Sequence, residues 1–316
     1  LFDFVSGTVR RTGSDTVTND NSPLGAIGFI FNGASQVLRF GQTLHIDSFF
    51  QLVRPLQLDG GTLKASSLGG SNLLDFRSGT FEAIGNLNVA VFGPLGSYID
   101  LKPNSRIVAG VDLVILEGST VLVRDGARAS STNATSIAGT LALEGNGARL
   151  SGGAVTVFST GVLRGFGIVE PSITNAGTIE LADDGALRIG GALNNNASGT
   201  IRGRGRLVAS GITNAGRMEF SGGFTDIESP LTNQSTARVV VSGGGVLTFF
   251  GNVTHAAGAD IRTGTGSRTV FLRPVTGAGS FSGAGLVQFE STYTPGSSPG
   301  LVSFGGDVEL TDLADL

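Results

Sequence analysis

One phrase, written six times between residues 173 and 281, constrains this chain more than anything else in it. Each copy starts with an aliphatic residue and a Thr or Asn, usually followed by Asn. A short Ala/Gly/Ser turn and a new apolar run come next. The copies are ITNAGTI, LNNNASGTI, ITNAGRM, LTNQSTARV, VTHAAGADI and VTGAGSF. They begin at Ile173, Leu193, Ile212, Leu231, Val253 and Val275, with spacings of 20, 19, 19, 22 and 22 residues. A period near twenty with drifting loop length marks a solenoid, each repeat being one coil stacked on the last.

The repeat reads as strand chemistry. The next strand's first large apolar residues are Ile179, Ile201, Met218, Val239, Ile261 and Phe281, and the gap from anchor to strand is always 6 or 8. Side chains alternate faces in extended chain, so even gaps are compatible with both residues facing one interior. The third position reads Asn175, Asn195, Asn214 and Asn233, then His255 and Gly277. Identical amides one strand spacing apart, about 4.8 Å, hydrogen-bond up a stack. These four asparagines are therefore expected to form a structural ladder at a coil corner rather than a row of sugar or ion ligands.

Composition narrows the fold class. Glycine supplies 51 of 316 residues, more than double the usual share of about 7%, and charged residues 15% against about 25%. A hydrophobic content of 40% with net charge −4 is enough to bury a core, which excludes disorder. The glycines have no three-residue period, which excludes collagen. No segment has helical periodicity. Coils of this length without a helix leave a β-helix, and parallel crossovers are overwhelmingly right-handed. The expected fold is all-β: a right-handed parallel β-helix with coils of 19–22 residues. The alternative is an irregular array of β-sandwich domains.

The clearest repeats span 137–290, and Gly-Thr-apolar strand starts at Gly61, Gly79 and Gly139 carry the coil region back to residue 56. Residues 1–55 lack the phrase but hold seven of the 20 phenylalanines, Phe2 and Phe4 among them. Open solenoid ends expose unpaired strand edges, so this segment is expected to be an irregular N-terminal cap or docking segment.

Near the C-terminus stands TYTPGSSPGLVSF. Its residues Pro295, Gly296, Ser297, Ser298, Pro299, Gly300, Leu301 and Val302 resemble an element near the end of β-helical passenger regions in bacterial autotransporters. The same element occurs in large exported proteins with a Pro-Glu-Pro sorting tail, and the TNAGTI phrases resemble the repeats of both. The resemblance covers residues 56–316, with the Pro-Gly element at 295–300. It implies export to a bacterial cell surface or extracellular matrix. In such proteins more strands follow the element, whereas this sequence stops at Leu316 within VELTDLADL. A fragment or processed form is the expectation.

The chemistry-bearing residues are sparse. Without cysteine there is neither a disulfide framework nor a CxxC-type metal or redox site. No cofactor motif is present, no apolar run is long enough to span a bilayer, and an acidic balance with pI near 5.2 argues against nucleic acid. Many right-handed β-helices cleave acidic polysaccharides, so a lyase or hydrolase is the alternative function. It needs carboxylates gathered on adjacent coils. Asp183-Asp184 reads as a solvated turn, and Glu180 with Glu219 as repeat-equivalent positions two coils apart. His45 and His255 are far apart in sequence. Thr-x-Thr pairs at Thr263/Thr265 and Thr292/Thr294 do not recur at coil spacing.

One charged constellation stands out. Arg202, Arg204 and Arg206 alternate with glycines, so an extended strand puts three guanidiniums on one face, where an acidic polysaccharide can dock. The sequence reading is a non-enzymatic structural protein of the bacterial exterior, a β-helical adhesin or fibre subunit. Its expected partners are acidic polysaccharide and itself. Head-to-tail assembly would use Phe2 and Phe4 at one end and Leu313 and Leu316 at the other.

Overall fold

A computed structural model describes residues 6–12, 17–18, 36–71, 73–183, 185–296, 302–311 and 314. Among them there are strands and no helix. The chain divides into two compact units, Leu1–Val155 and Thr156–Leu316. Both are parallel β-solenoids.

In the second unit each coil from Ile173 to Phe289 contributes one strand to each of three faces. The first face stacks Ile173–Asn175, Leu193–Asn195, Ile212–Asn214, Leu231–Asn233 and Val253–His255 in parallel and in phase. The second stacks Thr178–Leu181, Thr200–Gly203, Arg217–Ser221, Arg238–Ser242, Asp260–Thr263 and Ser280–Ser282. The third stacks Ala186–Ile189, Gly205–Val208, Phe224–Ile227, Val246–Phe249, Arg268–Phe271 and Leu286–Phe289. Coil length matches the sequence period because each repeat anchor pairs with the next one, Ile173 with Leu193 and so on to Val253 with Val275.

The even gaps have a structural cause. All six anchors and all six strand-opening residues, from Ile173 and Ile179 to Val275 and Phe281, are buried. Where the gap is 8 rather than 6, the two extra residues are spent in a tight turn at the corner. Gly199 N–H closes on Asn196 O at 2.8 Å, Ala237 on Gln234 at 3.0 Å and Ala259 on Ala256 at 3.0 Å. The insertion bulges outward and leaves the alternation of faces intact.

The interior ends in aromatic rings. Phe249, Phe271 and Phe289 stack at centroid spacings of 5.1 Å, with Phe281 and Tyr293 edge-on or stacked against them. Burial pushes the Tyr293 hydroxyl up to about 12. Rings at these separations add attraction beyond the apolar area they bury.

The first unit is less regular. Leu56–Gly69 pairs in parallel with Gln36–Arg39, Gln42–Gln51 and Leu74–Ala83, with register shifts in each ladder. Gly7–Arg11 and Val17–Thr18 pair in parallel with Gln42–Gln51. Parallel stacking thus reaches into the segment read from the sequence as a cap. Phe2, Phe4, Leu313 and Leu316, assigned above to assembly, lie outside the described residues, as do Ser297 to Leu301 of the Pro-Gly element.

Candidate functional site

The phrase's third position forms a continuous buried row. Asn175 Nδ2 donates to Asn195 Oδ1 at 2.7 Å, Asn195 to Asn214 at 2.7 Å, and Asn214 to Asn233 at 2.8 Å. Asn233 Nδ2 then meets His255 Nδ1 at 3.2 Å, and His255 Nε2 lies 2.9 Å from the Ser280 carbonyl oxygen. An amide nitrogen only donates and a carbonyl only accepts, so the imidazole is the Nε2–H tautomer. Main chain runs alongside: Asn196 N–H donates to Asn175 O, Ala215 to Asn195 O and Gln234 to Asn214 O. Corner residue Gly199 lies under the row, and a methyl there would sit 2.3 Å from Asn195 Oδ1 and 2.5 Å from Asn175 O. Every amide is fully enclosed, so the row has no open coordination for a ligand. Burial holds the His255 pKa below its ordinary value, against the Ser280 hydrogen bond and the Asp260 charge, which raise it.

The arginine strip differs from the expected single strand. Gly203 and Gly205 adopt φ of +105° and +111°, left-handed values that place a corner at Arg204. Arg202 therefore ends up on the second face, Arg206 on the third, and Arg204 at the bend between them. Each has an acidic partner: Arg202 Nε with Glu180 at 3.2 Å, Arg204 with Asp183 at 3.1 Å, and Arg206 Nε with Glu228 at 2.8 Å. The outward column of the second face runs Arg164, Glu180, Arg202 and Glu219 on successive coils. Glu180 and Glu219 thus have a guanidinium between them, and Glu219 is also paired with Arg217. Asp184 lies outside the described residues.

Beside this corner, Asp183, Arg206, Phe224 and Asp226 line a shallow cavity of about 320 Å³. Phe224 is 75% exposed. Burial pushes the Asp226 carboxyl up, with Arg206 pulling it down and Glu228 adding to the rise. His45, on the other unit, lies 2.8 Å from Asp47, whose carboxyl is lowered chiefly by its hydrogen bond to Arg10.

A larger cavity, about 560 Å³, opens in the first unit between Leu74–Arg77 and Tyr98–Lys102. Sequence reasoning missed it because no repeat phrase marks these coils. It also missed a column on the outside of the first face: Thr174, Asn194, Thr213, Thr232, Thr254, Thr276 and Thr294 occupy one register line. The signal was present as the second letter of each phrase. The expectation that the Thr-x-Thr pairs Thr263/Thr265 and Thr292/Thr294 do not recur at coil spacing concerned pairs alone and did not extend to this single column. Outward threonines suit a pleated surface and leave this column uncharged, unlike the outward columns of the other two faces.

No protein-family model matches the chain, and no curated protein does. Among solved structures it is similar to the crystal structure of a TibC-catalysed hyper-glycosylated TibA fragment. The alignment covers 95% of this chain and 97% of that one, at 16% identity and a TM-score of 0.27. A likeness of that size leaves function to the chain's own geometry. No helix among the described residues is long and apolar enough to cross a membrane.

Proposed function

We propose that this chain is a non-enzymatic structural protein of the bacterial cell surface or extracellular matrix, acting as an adhesin or fibre subunit. The observation that carries the reading is the pairing of outward charges between neighbouring coils. Glu180–Arg202, Asp183–Arg204, Glu228–Arg206 and Arg124 with both Asp100 and Glu144 are each satisfied coil to coil. Such pairing serves a regular, water-facing surface, whereas catalysis on polysaccharide needs carboxylates free to accept and deliver protons. The bacterial exterior comes from the resemblance of the repeats and the Pro-Gly element, and acidic polysaccharide is the proposed partner. Incubation with polyuronates and neutral glycans tests the reading. Retention of glycan without release of shortened or unsaturated products is expected, and steady product release would overturn it.

A second reading, a polysaccharide-active enzyme, has one observation in its favour. Asp226 has a raised pKa and shares its cavity with Asp183 and the exposed Phe224 ring. Under that reading Asp226→Asn abolishes glycan turnover.

A further inference from the structure

The cavity of the first unit coincides with a break in the parallel ladder. Leu74–Ala83 pairs with Leu56–Gly69 along one edge, but along the other it meets Ser105–Ala109 only over Gly79–Ala83. Tyr98–Leu101 pairs with Thr120–Val123 on one side and has no ladder partner on its other edge among the described residues. These two open edges flank the cavity of about 560 Å³, a volume typical of small-molecule sites. One hydrogen bond bridges the opening, Leu74 N–H to Pro94 O at 3.4 Å.

The rim carries Asp75, Phe76, Arg77, Tyr98, Asp100 and Lys102. Arg77 Nε is 2.9 Å from Asp75 Oδ2, so those two charges cancel. Asp100 takes both Nε and Nη2 of Arg124, at 2.7 and 3.2 Å. Lys102 has no acidic partner among the described residues and is exposed, so its ammonium is the rim charge left open to an anion, although the lining charges Asp75, Arg77, Asp100 and Lys102 balance in number. Tyr98 is 58% exposed on the same strand edge. An aromatic face, an unpaired ammonium and carboxylates already fixed by guanidiniums make a coherent set. The ring stacks on the apolar C–H face of a sugar, the carboxylates accept from its hydroxyls, and the ammonium neutralises an acidic substituent.

We infer that this split between coils is a binding site for a uronic-acid unit of an acidic polysaccharide, with Lys102 holding the sugar carboxylate and Tyr98 its ring. The inference rests on the proposed acidic-glycan partner and moves the contact away from Arg202, Arg204 and Arg206, whose charges are already paired. Titration of the full chain with an oligogalacturonate, against a neutral galacto-oligosaccharide of equal length, tests it. The uronate is expected to bind and the neutral sugar to bind at least about tenfold more weakly. Lys102→Glu and, as a milder change, Lys102→Ala are each expected to weaken uronate binding by about tenfold or more, and Tyr98→Ala by about tenfold. Arg202→Glu is expected to leave it unchanged. Far-ultraviolet circular dichroism checks that each variant is folded. Wild-type affinity in folded Lys102 and Tyr98 variants, equal binding of the neutral sugar, or no uronate binding overturns the site. Product release would instead count against the non-enzymatic reading, so the two failures are distinguishable.

Discussion

The stretch from Ile173 to Phe281 and the stretch from Gln36 to Thr120 solve the same stacking problem in different ways. In the former every strand pair keeps its register from coil to coil. In the latter the ladders slip at Arg39, between Ile46 and Phe49, and between Leu58 and Thr62, and they part at the Leu74–Tyr98 split. Apolar columns fill both interiors, so hydrophobic burial does not separate them. What separates them is the hydrogen-bonded Asn row, which rewards one alignment only. A slip of one residue would bury an anchor's neighbour and strand two amides without partners. Where no such row exists, bulges and a widened coil are tolerated, and the cavity with polar rim groups is found there.

The most damaging change should be one that both stretches share in kind. Phe271→Ala removes the middle ring of the Phe249–Phe271–Phe289 stack and is expected to cost about 3–5 kcal/mol in chemical denaturation. A loss under 1 kcal/mol would mean that the aromatic end of this interior is not close-packed. Asn214→Leu attacks the feature that differs. It removes the 2.7 Å acceptor of Asn195 Nδ2, which keeps only the longer contacts to the Gly199 and Arg217 carbonyls, and takes from Asn233 Oδ1 its donor, so a loss of about 1–3 kcal/mol is expected. If Asn214→Leu is neutral, the row does not set the register, and the contrast between the two stretches needs another cause.

Much of this was legible beforehand, and the reasons are particular. Ile173, Asn175 and Ile179 could be assigned to one interior because period-two alternation survives a turn whose insertions come in twos. The corner at Arg204 was not legible. An Arg-Gly-Arg-Gly-Arg string reads as extended chain until the glycines are seen to take left-handed φ, and nothing local distinguishes the two states. The Leu74–Tyr98 split was equally hidden, since a missing ladder leaves no mark on the alternation of Tyr98, Ile99, Asp100 and Leu101.

Acid should sharpen the comparison further, with a smaller effect than losing a rung. His255 is held neutral by burial, so its folded pKa lies below the unfolded value of about 6.5. Below that unfolded value the unfolded chain binds more protons, so stability is complete above it and declines as pH falls toward the folded pKa. Proton uptake at Nδ1 also removes the acceptor that Asn233 uses. His255→Asn is expected to flatten this part of the pH profile, and an unchanged profile would place the titration elsewhere. The smallest effect belongs to the surface. Arg202→Ala breaks an exposed pair with Glu180, and a change of at most about 1 kcal/mol, shrinking with added salt, is expected in the same denaturation assay. A larger loss would mean that the outward charge columns help to hold the register.

Asn195 and Asn214, the inner rungs of the row, each give a side-chain hydrogen bond to the rung ahead and take one from the rung behind, so each is indifferent to which copy of itself lies on either side. A coil duplicated or excised between Asn195 and Asn214 would close the join with the same donor and acceptor that were there before. Length therefore behaves as a setting that copying can change without redesigning a neighbour. His255 is the punctuation mark: it accepts from Asn233 but hands its own N–H to the Ser280 main chain, and the message of the row stops there.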